Sequence, residues 1–151
     1  MQRWAIIILL ILASNVAAGE LPSEVDLRAA YCLLVLQDVI GQFQSLEKDI
    51  EDAADKAANA AMLSSSRANL RRLQLYLVPR MEHLDLIGLA VAKKRGQEDV
   101  VKVSQLFDTC QAQCSPPRTK PSEWRSCLDK CHDNPLLTRI QGCSKLSWLP
   151  F

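Results

Sequence analysis

The chain has 151 residues, with 18 basic and 17 acidic side chains and six cysteines. A net charge of +1 argues against nucleic acid or an anionic membrane surface as the main partner, because both call for a concentrated excess of Lys and Arg. The hydrophobic share is 48%, which at this length suits one domain with a core of its own.

The first element is an export signal. Arg3 is the sole basic residue of a short n-region, "WAIIILLILA" (4–13) is an apolar core, and Val16 and Ala18 stand at the small-residue positions before a cut. This pattern predicts a signal peptide over 1–18, cleaved after Ala18, and a single helical domain over 19–151. The apolar run falls short of the roughly 20 residues of a spanning helix, so no integral membrane segment is expected after cleavage. No cysteine precedes Cys32 and no Asn-x-Ser/Thr occurs. The expected location is secreted or periplasmic, and both fit equally.

Helical periodicity dominates the rest of the chain. Cys32, Leu36, Val39, Phe43, Leu46, Ile50, Ala53, Ala57 and Ala60 step alternately by four and three, which predicts one long helix from Pro22–Ser23 with its apolar stripe on one face. "LSSSRAN" (63–69) predicts a turn, because serine side chains compete for helical backbone groups. A second stripe runs through Leu70, Leu73, Leu77, Met81, Leu84, Ile87 and Val91, with a kink expected at Pro79. Residues 22–62 are net acidic and 63–96 net basic, consistent with antiparallel neighbours whose pairing charge guides. "KKRGQED" (93–99) reads either as a turn at Gly96 or as a polar stretch of one continuous helix. Val100, Val103, Phe107, Cys110 and Cys114 continue at helical spacing.

"SPPRTKPSEW" (115–124) ends that helix with three prolines. A short helix then carries Trp124, Cys127, Leu128 and Cys131, "DNP" (133–135) stops it, and a brief segment over 136–142 reaches Cys143. The closing "LSWLPF" is expected to pack on the bundle. Residues 19–114 thus form long helices and 115–151 a disulfide-linked cap. The fold class is all-α: a long antiparallel helical hairpin or bundle with a small disulfide-stapled helical cap.

Two Cys-x3-Cys pairs lie on helices joined by a twelve-residue loop. Positions i and i+4 share a helix face, so in an antiparallel pair the outer cysteines meet and the inner ones meet. This predicts Cys110–Cys131 and Cys114–Cys127, leaving Cys32–Cys143 by exclusion. With a turn near residue 64, residue 32 lies beside residue 96 and all six cysteines gather at one end. The same four thiols with His132 could hold tetrahedral zinc, but an exported chain oxidises them, so no metal or other cofactor is expected. The spacing is one residue longer than the redox motif Cys-x2-Cys, and no thioredoxin-like pattern surrounds it.

The 110–131 segment resembles the twin Cys-x3-Cys hairpin of the small Tim chaperones of mitochondria and, more loosely, the later cysteines of arthropod hormones of the eclosion-hormone type. The likeness is one of hairpin geometry, since the long preceding helices belong to neither. "CHD" (131–133) resembles the His-Asp pair of secreted phospholipases A2, without the glycine-rich calcium loop those enzymes need. His132 reads instead as a helix-end histidine, and His83 in "EHLD" as a solvated helix position with no nucleophile at motif spacing. "KKR" (93–95) could be a processing site but reads better as a solvated basic helix face. No catalytic residues are expected. The sequence reads as an exported, disulfide-stabilised helical protein with a non-catalytic binding or scaffold role, meeting a protein partner through a helical face. The alternatives are a secreted cytokine- or hormone-like ligand, or a metal- or lipid-binding carrier. Oligomeric state is not readable from this pattern.

Overall fold

A computed structural model describes residues 19–114, 127 and 134–150. Three long helices make the body: α1 (Glu24–Leu46), α2 (Ala53–Leu77) and α3 (Leu86–Cys114). A short α4 (Pro135–Gln141) and a 3-10 turn (Gly142–Ser144) form the described part of the cap. The all-α class holds, and no helix among the described residues is long and apolar enough to cross a membrane. The expected signal peptide lies outside the described residues.

α1 begins where Ser23 caps it. The Asp26 amide donates to Ser23 Oγ (3.2 Å) and the Ser23 amide donates to the Asp26 carboxylate (2.9 Å), a reciprocal capping box. α1 is the middle helix, so both its flanks are covered: Ala29, Ala30 and Val35 are fully buried, and α2 and α3 both pack chiefly on it. α2 runs antiparallel to α1, placing Asn59 against the Phe43 carbonyl (3.1 Å) and Tyr76 against Asp26 (2.9 Å). α3 runs parallel to α1. A Cβ on Gly88 would meet Pro22 Cγ at 3.3 Å, and one on Gly96 would meet the Tyr31 carbonyl oxygen at 2.6 Å. Glycine at 96 is what lets the two backbones approach so closely.

The hairpin therefore exists, but its turn is at 47–52 rather than at 63–69. The Asp52 carboxylate accepts from the amides of Ala54 (2.8 Å) and Asp55 (3.0 Å) and starts α2 there. Ser64 and Ser65 sit exposed mid-helix beside the buried Leu63. Their weak preference for turns yields to the anchoring of α2 on α1 through Asn59, Leu63, Leu73 and Leu77. Pro79 does not kink a helix but follows its end: α2 stops at Leu77, and Arg80 and Met81 donate back to the Leu77 carbonyl at 3.0 and 2.9 Å. Ile87 and Val91, expected in the buried stripe, are 75% and 63% exposed, because the chain breaks phase between Leu77 and Leu86. Gly96 breaks nothing; α3 is continuous through "KKRGQED", with Gly96 and Asp99 buried, Lys93 half-buried and the other four residues exposed.

The start of the described chain is strapped to the α2–α3 loop. The Glu20 amide donates to the His83 carbonyl (2.8 Å) and the Asp85 amide to the Glu20 carbonyl (2.9 Å). The Asp85 carboxylate also accepts from Ile87 and Gly88, capping α3. The core fills the end of the bundle nearest this loop, where Leu73, Leu77, Leu84 and Leu89 meet α1 and the chain's last residues. "LSWLPF" packs as expected as far as residue 150: Leu146 and Leu149 are buried and belong to that core.

Candidate functional site

The cap is tied to the body in four ways. Cys143 is bonded to Cys32, with Cα atoms 5.1 Å apart. Arg139 pairs with the buried Asp99 of α3 at 3.1 Å. Asn69 of α2 donates to the Ser144 carbonyl at 2.9 Å, and Leu146 and Leu149 fill the core. Cys114 is bonded to Cys127, with Cα atoms 5.8 Å apart. Cys110 is also disulfide-bonded; its expected partner, Cys131, lies outside the described residues, as do His132 and Ser122. Among the described residues no cysteine is free, so the sulfurs of Cys32, Cys110, Cys114, Cys127 and Cys143 serve as staples and not as thiolate ligands. Residue 32 does lie at the level of residue 96, but because α3 is parallel to α1, not through the expected antiparallel return. The cysteines consequently do not gather at one end. Eighteen residues of continuous helix from Gly96 to Cys114 put the second staple about 27 Å further along α3.

Docking the cap leaves a groove of about 670 Å³ between α1, α3 and α4. Leu27, Arg28, Tyr31 and Cys32 come from α1, Gly88, Val91, Ala92 and Arg95 from α3, and Thr138, Arg139 and Gly142 from the cap. The volume is in the range of ligand clefts, and an apolar lining with a few polar groups is their usual composition. This lining contains three guanidiniums and no carboxylate. Each arginine is in a different state. Arg139 is neutralised by Asp99. Arg28 lies over the Trp148 ring, 4.5 Å from its centroid, which holds the guanidinium in place and leaves its charge intact. Arg95 makes no ion pair or hydrogen bond among the described residues.

Behind the groove, the Tyr31 hydroxyl donates to Asp99 at 3.1 Å. Burial, and then the neighbouring Asp99 charge, push the Tyr31 phenol well above its usual range, so it stays protonated and acts as a donor. A second polar centre lies at the Ser23 cap. There Asp26, fully buried, accepts from Ser23, from Tyr76 (2.9 Å) and from two nitrogens of Arg80 (2.7 and 3.3 Å). Burial alone would raise its carboxyl, but Arg80 and the Ser23 and Tyr76 donors outweigh it and hold the group well below the usual carboxylate range. All of its oxygens are engaged, so Asp26 holds helices together and has no capacity left for a ligand.

Sequence reading did not find the groove. Its charged residues lie at 28, 95 and 139, and no motif joins them. Only Arg95 stood out, as part of a basic run. No protein-family model, curated protein or solved structure matches the chain.

Proposed function

We propose that this is an exported, disulfide-stabilised helical protein with a non-catalytic binding role, and that the groove holds an acidic, apolar segment of a protein partner. The observation that carries the reading is the lining itself: an apolar floor under three guanidiniums, of which, among the described residues, only Arg139 is paired with a carboxylate, and no carboxylate in the lining. Bidentate guanidinium–carboxylate pairing suits such a rim. The apolar strip from Gly88 to Arg95 is two helical turns, about 10 Å. That length takes two or three apolar side chains, whereas a long acyl chain would overhang it. Disulfides and the absence of a membrane-crossing helix among the described residues fit an oxidising location outside the cytosol.

Panning a random peptide display library against the oxidised protein tests this. Selected peptides should carry Asp or Glu beside a pair of apolar residues and lose affinity about tenfold or more against Arg95→Glu. Peptides without acidic enrichment, or binding unchanged by that substitution, would sink the reading. Displacement of the peptides by the fluorescent fatty acid cis-parinaric acid would reassign the groove to a lipid carrier.

A further inference from the structure

α3 has a second stripe, opposite the one it buries. Ile87, Val91, Lys94, Glu98, Val101 and Gln105 recur at spacings of four and three. At 3.6 residues per turn they fall within an arc of about 80° on the side away from Leu89, Gly96 and Val103. Ile87 is 75%, Val91 63% and Val101 51% accessible, and the polar members of the stripe face solvent with them. Lys94 and Glu98 form an open ion pair within the helix at 3.8 Å.

The stripe is symmetric about position 96. In an antiparallel pairing of two copies centred there, Val91 of one faces Val101 of the other, Lys94 faces Glu98, and Ile87 faces Gln105. A parallel pairing would instead set Lys94 on Lys94 and Glu98 on Glu98. We infer that α3 is a homodimer seam that pairs antiparallel with a second copy of this chain through this stripe. The contact is isologous and closes on itself, so it stops at two copies. The charged pair at its centre fixes orientation, as polar residues do in helical seams. The stripe spans about 27 Å, which places the buried area at the low end of stable interfaces, near 1,200 Å². Arg95 and Lys102 flank the seam on one side in both copies, and Asp99, 3.8 Å from Lys102, offsets only part of their repulsion. A dissociation constant in the micromolar range is expected.

The inference does not rest on the groove's proposed occupant; Val91 belongs both to the stripe and to the groove's rim, but the positions substituted in the test, Lys94, Glu98 and Val101, do not line the groove. Sedimentation equilibrium of the oxidised protein should show a monomer–dimer equilibrium. Val101→Asp and Lys94→Glu should each raise its dissociation constant about tenfold or more. The double reversal Lys94→Glu with Glu98→Lys should restore it to within about threefold of the parent, because only the antiparallel register pairs 94 with 98. Circular dichroism should show every variant equally helical, since all three positions are exposed. A monomer at every concentration, or a double reversal no better than the single ones, overturns the proposal.

Discussion

The two ends of the bundle are built from the same helices and held in different ways. At the end nearest the α2–α3 loop, α1 is enclosed by α2, α3 and the cap, and Leu73, Leu77, Leu89, Val35 and Cys32 have almost no exposed surface. At the other end the three helices continue with little between them. Leu46, Met62 and Phe107 are 49%, 50% and 37% exposed, and alanines replace the larger stripe residues after Ile50. Residues 134–150 of the cap reach only the first end; the second is held to the cap by the Cys114–Cys127 bond. Helix length is therefore no guide to where stability sits; enclosure from a third and fourth side decides it.

Three experiments break or sharpen this contrast. The largest effect is expected from opening the Cys32–Cys143 staple, which closes a loop of 111 residues. Replacing both cysteines with serine should cost about 4 kcal/mol in urea unfolding. Because the cap supplies one wall of the groove, peptide binding should fall with it; unchanged binding would show that the non-covalent contacts alone seat the cap. Next, Leu73→Ala should cost about 3 kcal/mol as a cavity in the enclosed end, while Phe107→Ala should cost less than about 1 kcal/mol. Equal costs would abolish the distinction between the two ends.

Asp26→Asn comes third at about 2 kcal/mol, because Arg80 is 44% exposed and can turn to water once unpaired. Its sign with pH is fixed. The folded-state carboxyl lies below the unfolded value of about 3.9, so its contribution is complete above roughly pH 4 and is lost as pH falls through the folded value. Asp26→Asn should remove that acid-side loss; a parent-like acid profile would mean other carboxylates control it.

Periodicity made the helical class legible, and Pro22 followed by the acidic Glu24 and Asp26 made the first helix start legible. The hairpin geometry of the cysteines and elimination led to the pairing of Cys114 with Cys127 and of Cys32 with Cys143. The turn at 47–52 was hidden because Leu46, Ile50 and Ala53 keep helical spacing across it, so a stripe cannot distinguish a continuous helix from one that reverses in phase. The signal lay instead in Asp52 with Asp55, a cap written in the same residue types as the acidic run around it. The level of residue 32 with residue 96 was anticipated for a topology the chain does not have. Both a reversal at 64 and two reversals at 47–52 and 78–85 return the chain to that height. The groove was beyond reach because it exists only once the cap docks, and docking depends on Asp99, a residue that looks like one more solvated acid in a polar run.

The first cysteine of the chain, Cys32, is bonded to the last, Cys143. On the proposed export route, Cys32 emerges 78 residues ahead of Cys110 and 111 residues ahead of its proper partner. An oxidase that joins cysteines in order of appearance would link Cys32 to Cys110 and trap the chain before its end arrives. Maturation then depends on proofreading of early crosslinks rather than on the speed of making them. Yield of the native form should collapse in a host lacking a disulfide isomerase and persist in one with a merely slow oxidase; the reverse pattern would mean that helix packing shields Cys32 until Cys143 reaches it.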